Sequence, residues 1–320
     1  MITSSQFKPA CWLPGTHAQT LWPSLIRRPV GIELTTERLT LPDGDFIDLA
    51  WTKGNSDKIV IVLHGLEGSI DSSYARGMLA AIHKKGWRGV FMHFRGCSGE
   101  HNLMDRSYHS GETGDLRFLV ETLRKRHPDA TLVAVGYSLG GNALLKYLGE
   151  YKDDSQLKAA TAVSVSYLLS NSATKLEKGF SRLYQRHLLN RLMDKTLSKF
   201  QDRQAPVDIA NINKLNTFKS FDHHITAPIH GFKSGDDYYE QSSSRQYLYK
   251  ITTPTLLIHS RDDPFMSVDA IPNQDDLSES VTLELSNYGG HVGFVSGNTP
   301  WNAIYWLEER IPEFLSTYLD

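Results

Sequence analysis

The chain has 320 residues, 40% of them hydrophobic, with 34 Lys and Arg set against 36 Asp and Glu. That is enough apolar material for one large core and excludes disorder of the whole chain. The near-neutral balance excludes a global field that would steer the protein to nucleic acid or an anionic membrane, and it points to a small, weakly charged partner.

Two cysteines, Cys11 and Cys97, are too few and too far apart for a disulfide framework or a metal cluster, and they read as free thiols in a reducing compartment. Residues 1–6 lack the basic-then-apolar pattern of a signal peptide. Apolar runs such as 59–63 are far too short to cross a bilayer. A soluble cytoplasmic protein is the expectation.

Residues 1–30 show no clean periodicity but carry Trp12, Leu13, Leu21, Trp22 and Ile26, which suggests an arm packed on the body. Residues 32–41 and 46–51 read as a hairpin closed at Pro42-Asp43-Gly44-Asp45. Short β-branched runs follow at 58–63, 89–94, 131–135, 160–165, 255–258 and 281–285, most of them separated by helical stretches. Runs apolar on both faces, alternating with helices, predict a mostly parallel, doubly wound α/β sheet. The alternation fails over 168–250, where helical segments such as 176–201 carry an apolar stripe broken by basic residues. A gap this long reads as a helical cap inserted into a core of 31–167 and 251–320, because it holds too few large apolar residues for a domain of its own. A last helix from about Trp301 carries Ile304, Leu307, Ile311, Leu315 and Tyr318 at helical spacing, with Pro312 expected to kink or restart it.

Chemistry concentrates at Gly136-Tyr137-Ser138-Leu139-Gly140, between the apolar run 131–135 and the helix-forming stretch 142–148. Strand, sharp turn and helix in that order make a nucleophile elbow, in which glycines permit a strained backbone that lifts the Ser138 hydroxyl above the sheet edge. Acyl transfer by serine also needs a base, a carboxylate to orient it, and fixed N–H donors for the oxyanion. His291 follows two glycines after the run 281–285. Asp262 and Asp263 follow the run 255–258. Ser260 stands in the Gly place of the usual G-x-x-D spacing, which selects Asp263 and leaves Asp262 to cap the turn or brace a loop. The order Ser, Asp, His is the one used by α/β-hydrolases. Oxyanion donors are expected from the backbone N–H of Leu139 and, in the loop after the first core parallel strand, of Leu66. Neither a P-loop lysine nor a G-x-G-x-x-G run is present, and no metal or organic cofactor is expected.

Other polar residues have plainer readings. Glu112 and Asp115, after Ser110-Gly111, favour a helix N-terminus. His223, His224 and His230 lack a metal-ligand spacing and read as cap or surface residues. Arg95 could brace loops or touch substrate, and Tyr238-Tyr239 could line the cap or pack in its core.

Several segments together resemble the YheT-type branch of the α/β-hydrolases, related to the ABHD lipase-like proteins. They are His64-Gly65-Leu66-Glu67-Gly68-Ser69, Phe94-Arg95-Gly96-Cys97-Ser98-Gly99, residues 107–113, 136–142, 262–265 and Gly289-Gly290-His291-Val292-Gly293-Phe294, with Phe221-Asp222, Thr226-Ala227-Pro228 and Gly231-Phe232 in the cap and His17-Ala18-Gln19-Thr20 in the arm. The resemblance spans nearly the whole chain. It implies a serine esterase or lipase-like hydrolase with Ser138, Asp263 and His291 as its charge-relay set but not its natural substrate, for which a small or medium-chain acyl ester is the expectation. Phospholipid or thioester cleavage on the same fold remains open, as does an apolar-ligand binding protein with an unused triad.

Overall fold

The β-branched runs become strands of one sheet because each is apolar on both pleat faces and needs cover on both sides. The computed structural model describes residues 1–320. Its sheet holds β1 (Ile2–Ser4), β2 (Leu34–Thr40), β3 (Phe46–Thr52), β4 (Lys58–Leu63), β5 (Arg88–Met92), β6 (Thr131–Tyr137), β7 (Ala159–Val163), β8 (Thr255–Ser260) and β9 (Val281–Ser286). They lie in the order β1-β9-β8-β7-β6-β4-β5-β3-β2. Only β2 with β3 and β3 with β5 are antiparallel. Strand β4 shows the packing logic. Ile59, Ile61 and Leu63 join one core with Leu119 and Leu144, while Val60 and Val62 join a second core with Met78 and Ile311 on the opposite face. Each such side chain contributes about 1.5–3 kcal/mol by leaving water.

The helices are α1 (Thr16–Leu25), α2 (Ala75–Lys84), α3 (Gly114–Arg126), α4 (Leu139–Tyr151), α5 (Leu169–Leu176), α6 (Ser181–Lys199), α7 (Phe218–Phe221), α8 (Ala227–Ile229), α9 (Gly235–Ser242) and α10 (Leu307–Leu319). Strand β4 is flanked by β5 on one side and β6 on the other, so the chain changes direction across the sheet at the carboxyl ends of β4 and β6. Ligand crevices of open α/β sheets form at such a switch point.

The two ends of the chain depart from the sequence reading. The arm is part of the sheet, since Ile2 pairs with Leu283 and Ser4 with Leu285 in parallel register. A strand of three residues carries no readable period; it forms because β9 offers an edge. Trp301 does not open the last helix. Residues 300–302 make a 3₁₀ turn, Ile304–Tyr305 pairs antiparallel with Val295–Ser296, and α10 begins only at Leu307. Ile304 therefore leaves the apolar stripe and stands 41% exposed. Helix α10 continues through Pro312 without restarting.

Between β7 and β8 run α5 to α9, with a π turn at Asp222–Thr226 joining α7 to α8. Leu169, Leu176, Leu189, Phe218, Phe221 and Tyr239 form an apolar cluster of their own there, onto which Leu66 and Phe265 of the core loops also pack. The stripe read from the sequence is partly outward: Phe180 is 45% and Leu183 57% exposed.

Candidate active site

Ser138 occupies the turn between β6 and α4 with φ 51° and ψ −114°, a backbone state that L-residues rarely adopt and that costs on the order of 1–3 kcal/mol. Its neighbours explain how the turn survives. A Cβ on Gly136 would lie 2.6 Å from the Gly140 carbonyl oxygen, and one on Gly140 would lie 2.5 Å from that of His64, so strand, helix and the loop after β4 close together only over glycine. Ser138 N–H donates to Val163 O at 2.8 Å, which ties the turn to β7.

His291 and Asp263 meet Ser138 across the strand ends. His291 Nδ1 lies 2.9 Å from Asp263 Oδ2, and His291 Nε2 lies 3.0 Å from Ser138 Oγ. Because a carboxylate only accepts, the proton sits on Nδ1 and leaves the Nε2 lone pair facing the hydroxyl. Asp263 is 4% exposed, and its other oxygen accepts the Phe265 N–H at 2.8 Å. The Phe265 ring stacks on the imidazole at 3.9 Å between centroids, fixing its plane. Asp262 braces instead: it accepts from Gly290 N–H at 3.0 Å and from the Thr16 hydroxyl at 2.8 Å.

The loop carrying His291 is held from four elements. Ser260 Oγ donates to Gly290 O at 2.7 Å, Thr20 Oγ1 accepts from His291 N–H at 2.9 Å, and Ser164 Oγ accepts from Val292 N–H at 3.0 Å. With Asp262, these anchor the loop to β8, to the turn after it, to α1 and to the end of β7. Gly290, at φ 61°, is where α1 comes closest: a Cβ there would lie 2.5 Å from Thr20 Oγ1. The arm thus positions the histidine, a role its sequence did not reveal.

Leu66 and Leu139 both border a cavity at Ser138. The peptide planes around Leu66 are fixed by Gly65 N–H donating to Tyr74 OH at 2.8 Å and Glu67 N–H donating to Tyr108 OH at 2.7 Å. His64 locks the base of the loop, since its Nδ1–H donates to Gly65 O at 2.7 Å and its Nε2 accepts the Phe94 N–H at 3.0 Å. Burial pushes its pKa down to about 3, so it stays neutral. Glu67, at φ 53°, is clamped from α6: Arg191 donates to its carbonyl at 2.7 Å and Lys195 to its carboxylate at 2.8 Å. Sequence reasoning gave neither His64 nor Glu67 a role. A histidine directly after a core strand was the available signal.

Two cavities meet at Ser138. A narrow chamber of about 150 Å³ runs beneath α5–α9, past Leu139, Ala173, Phe221 and Tyr239. A wide groove of about 750 Å³ lies along α1 and α6 and holds His291. Tyr238 and Tyr239 line the narrow chamber and also pack in the apolar cluster of α5–α9. Tyr239 OH donates to Asp222 Oδ2 at 2.7 Å, and burial pushes the Asp222 pKa up to about 6. His223, His224 and His230 join no group of three or more side chains suited to a metal. Arg95 is a brace, bonded to Asp43, Asp45 and Asp115 and bordering neither cavity. Asp115 opens α3, and Glu112 accepts from Gly114 N–H at 2.9 Å just before it. No helix is long and apolar enough to cross a membrane.

Residues 58–297 match the family model described as the alpha/beta hydrolase fold. "Putative esterase YheT" of Escherichia coli (strain K12) is 44% identical over 99% of this chain and 95% of its own length. Phospholipase ABHD3 of Homo sapiens is 28% identical over 100% of this chain and 80% of its own. The monoacylglycerol lipase of Saccharomyces cerevisiae (strain ATCC 204508 / S288c) is 31% identical over 84% of this chain and 62% of its own. Among solved structures, the Pyrococcus furiosus esterase Pf2001 superposes with a TM-score of 0.61 at 18% identity, covering 92% of this chain and 97% of that one, which speaks to fold alone. The strand order, the turn at Ser138 and these likenesses agree: the chain belongs to the YheT branch of the α/β-hydrolases and is a hydrolase of the esterase and lipase type.

Proposed function

We propose that the protein hydrolyses carboxylic esters through an acyl-enzyme on Ser138. The observation that carries this reading is the unbroken run from Ser138 Oγ through His291 to Asp263, at 3.0 and 2.9 Å, on a strained turn. His291 Nε2 takes the hydroxyl proton as Oγ attacks the carbonyl carbon, and Asp263 stabilises the imidazolium. The carbonyl oxygen becomes an oxyanion facing the N–H groups of Leu139 and Leu66, with the N-terminus of α4 adding partial positive charge. The tetrahedral centre collapses as His291 returns the proton to the leaving alcohol. Water then repeats the sequence on the acyl-enzyme and frees the acid.

The helices of 168–250 act as the cap of this site. The acyl chain lies in the narrow chamber, where Leu169, Ala173, Leu176 and Phe221 give it an apolar wall. That chamber suits small and medium chains.

The test is Ser138→Ala on short-chain aryl esters with parallel fluorophosphonate labelling. Turnover should fall by about 10⁴ to 10⁶ with the fold retained, and labelling should vanish. Wild-type protein that neither labels nor turns over an ester, yet binds apolar ligand, would instead favour a binding protein with an unused triad. Thioester and phospholipid analogues run beside the esters rank the bond cleaved.

A further inference from the structure

The two cavities that share Ser138 are not equivalent toward a proton. His291 borders the wide groove and not the narrow chamber, while Leu139 borders the narrow chamber and not the groove. The group that leaves from a serine-bound tetrahedral centre must receive its proton from His291 Nε2, and the incoming water must lose one to it. The alcohol half of the substrate therefore occupies the groove.

The groove has a charge that the composition of the chain hides. Overall the protein is near neutral, at −2. The groove wall nevertheless holds Arg27, Arg28, Arg76 and Arg191 against only Glu67 and Asp71. Arg27 is closed by Glu308 and Arg76 faces Asp71 at 3.5 Å, while Lys195 already answers Glu67. Arg28 and Arg191, both exposed, have no carboxylate within 4.0 Å, the second being bonded to the Glu67 carbonyl. Two guanidiniums without acidic partners thus border the groove on the side where the alcohol must leave, and such groups favour an anion there.

We propose that the preferred substrate is an ester whose alcohol carries an anionic group, a phosphate or a carboxylate, received by Arg28 and Arg191 in the groove. This rests on the esterase reading above. It replaces the weakly charged partner that overall composition suggested, because net charge averages over faces that the fold keeps apart. The anion adds binding on the leaving side only, so it should raise kcat/KM for that ester without altering the acyl selection made in the narrow chamber.

The experiment uses three soluble butyryl esters, of glycerol, of glycerol 3-phosphate and of glycolate, with kcat/KM measured from butyrate release at 50 and 500 mM NaCl. The phosphate ester should exceed the glycerol ester by roughly tenfold or more at low salt, with the ratio falling as salt screens the groove. Arg28→Gln should shrink that ratio several-fold, Arg28→Lys should restore part of it, and Arg38→Gln, on β2, should leave it unchanged. Preference for both charged esters indicates a general anion site, and preference for the phosphate alone identifies the group. A wild-type ratio near one, or a ratio unmoved by Arg28→Gln and by the Arg28→Gln/Arg191→Gln pair, overturns the proposal while leaving the esterase reading in place. If no ester turns over and Ser138 does not label, both readings fall together.

Discussion

The narrow chamber and the wide groove share Ser138, Leu66, Glu67, Leu188 and Phe265 and differ in almost everything else. The chamber is walled largely by the helices between β7 and β8, packed around their own apolar cluster, and within it Tyr239 and Thr226 answer Asp222. The groove is walled by segments distant in sequence, α1, the loop before α2, and α6, and it keeps arginines that nothing acidic meets. On the proposed reading the difference divides the work: shape selects the acyl half, and charge and the proton relay handle the half that leaves.

The largest expected effect tests whether the relay runs on the groove side through Asp263. Asp263→Asn should keep the fold, checked by circular dichroism, and lower kcat by roughly 10⁴, because an amide supports the wrong imidazole tautomer and cannot stabilise the imidazolium. Asp262→Asn should cost far less, since it loosens only the braces to Gly290 and Thr16. The reverse ranking would hand the relay to Asp262.

A smaller effect separates chamber from groove. Ala173, 4% exposed and bordering only the chamber, should become a stop for the acyl chain when changed to leucine. Ala173→Leu should lower kcat/KM for long acyl chains about tenfold relative to acetyl, equivalent to losing one or two methylenes at about 0.8 kcal/mol each. Equal loss on all chain lengths would place the acyl group elsewhere.

The smallest effect concerns stability. Burial raises the Asp222 pKa from 3.8 to about 6, so the folded state holds that proton more tightly than the unfolded one. The resulting stability is fully present below pH 3.8 and lost as pH rises through about 6. Asp222→Asn cannot titrate, so its urea midpoint relative to wild type should be more favourable at pH 8 than at pH 4.5. A constant difference across that range would mean the carboxyl ionises as freely as in water.

Much of this was legible because it is written in neighbouring residues. The run of β4 announces a strand covered on both faces, and Gly136 to Gly140 announce the turn that holds Ser138, since only glycine admits the 2.5–2.6 Å approaches there. Asp263 could be separated from Asp262 by its spacing after β8. What was missed lies in contacts between distant segments. Thr20 holding His291 spans 271 residues, and the clamp of Lys195 on Glu67 spans 128, with no local period to betray either. Phe180 and Leu183 looked like a buried stripe because helical spacing reports which side chains share a face, not what that face meets.

By itself, then, the sequence determined the α/β order, the strand cores and the three side chains that converge at the sheet edge, because period, turn chemistry and motif spacing are short-range properties of the chain. Only the tertiary structure decided that β1 completes the sheet, that α1 and α6 line one groove, and that His291 borders that groove and not the chamber. The physical reason is that facing and charge at a site are sums over segments brought together by burial of the two cores, and no window of sequence contains that sum.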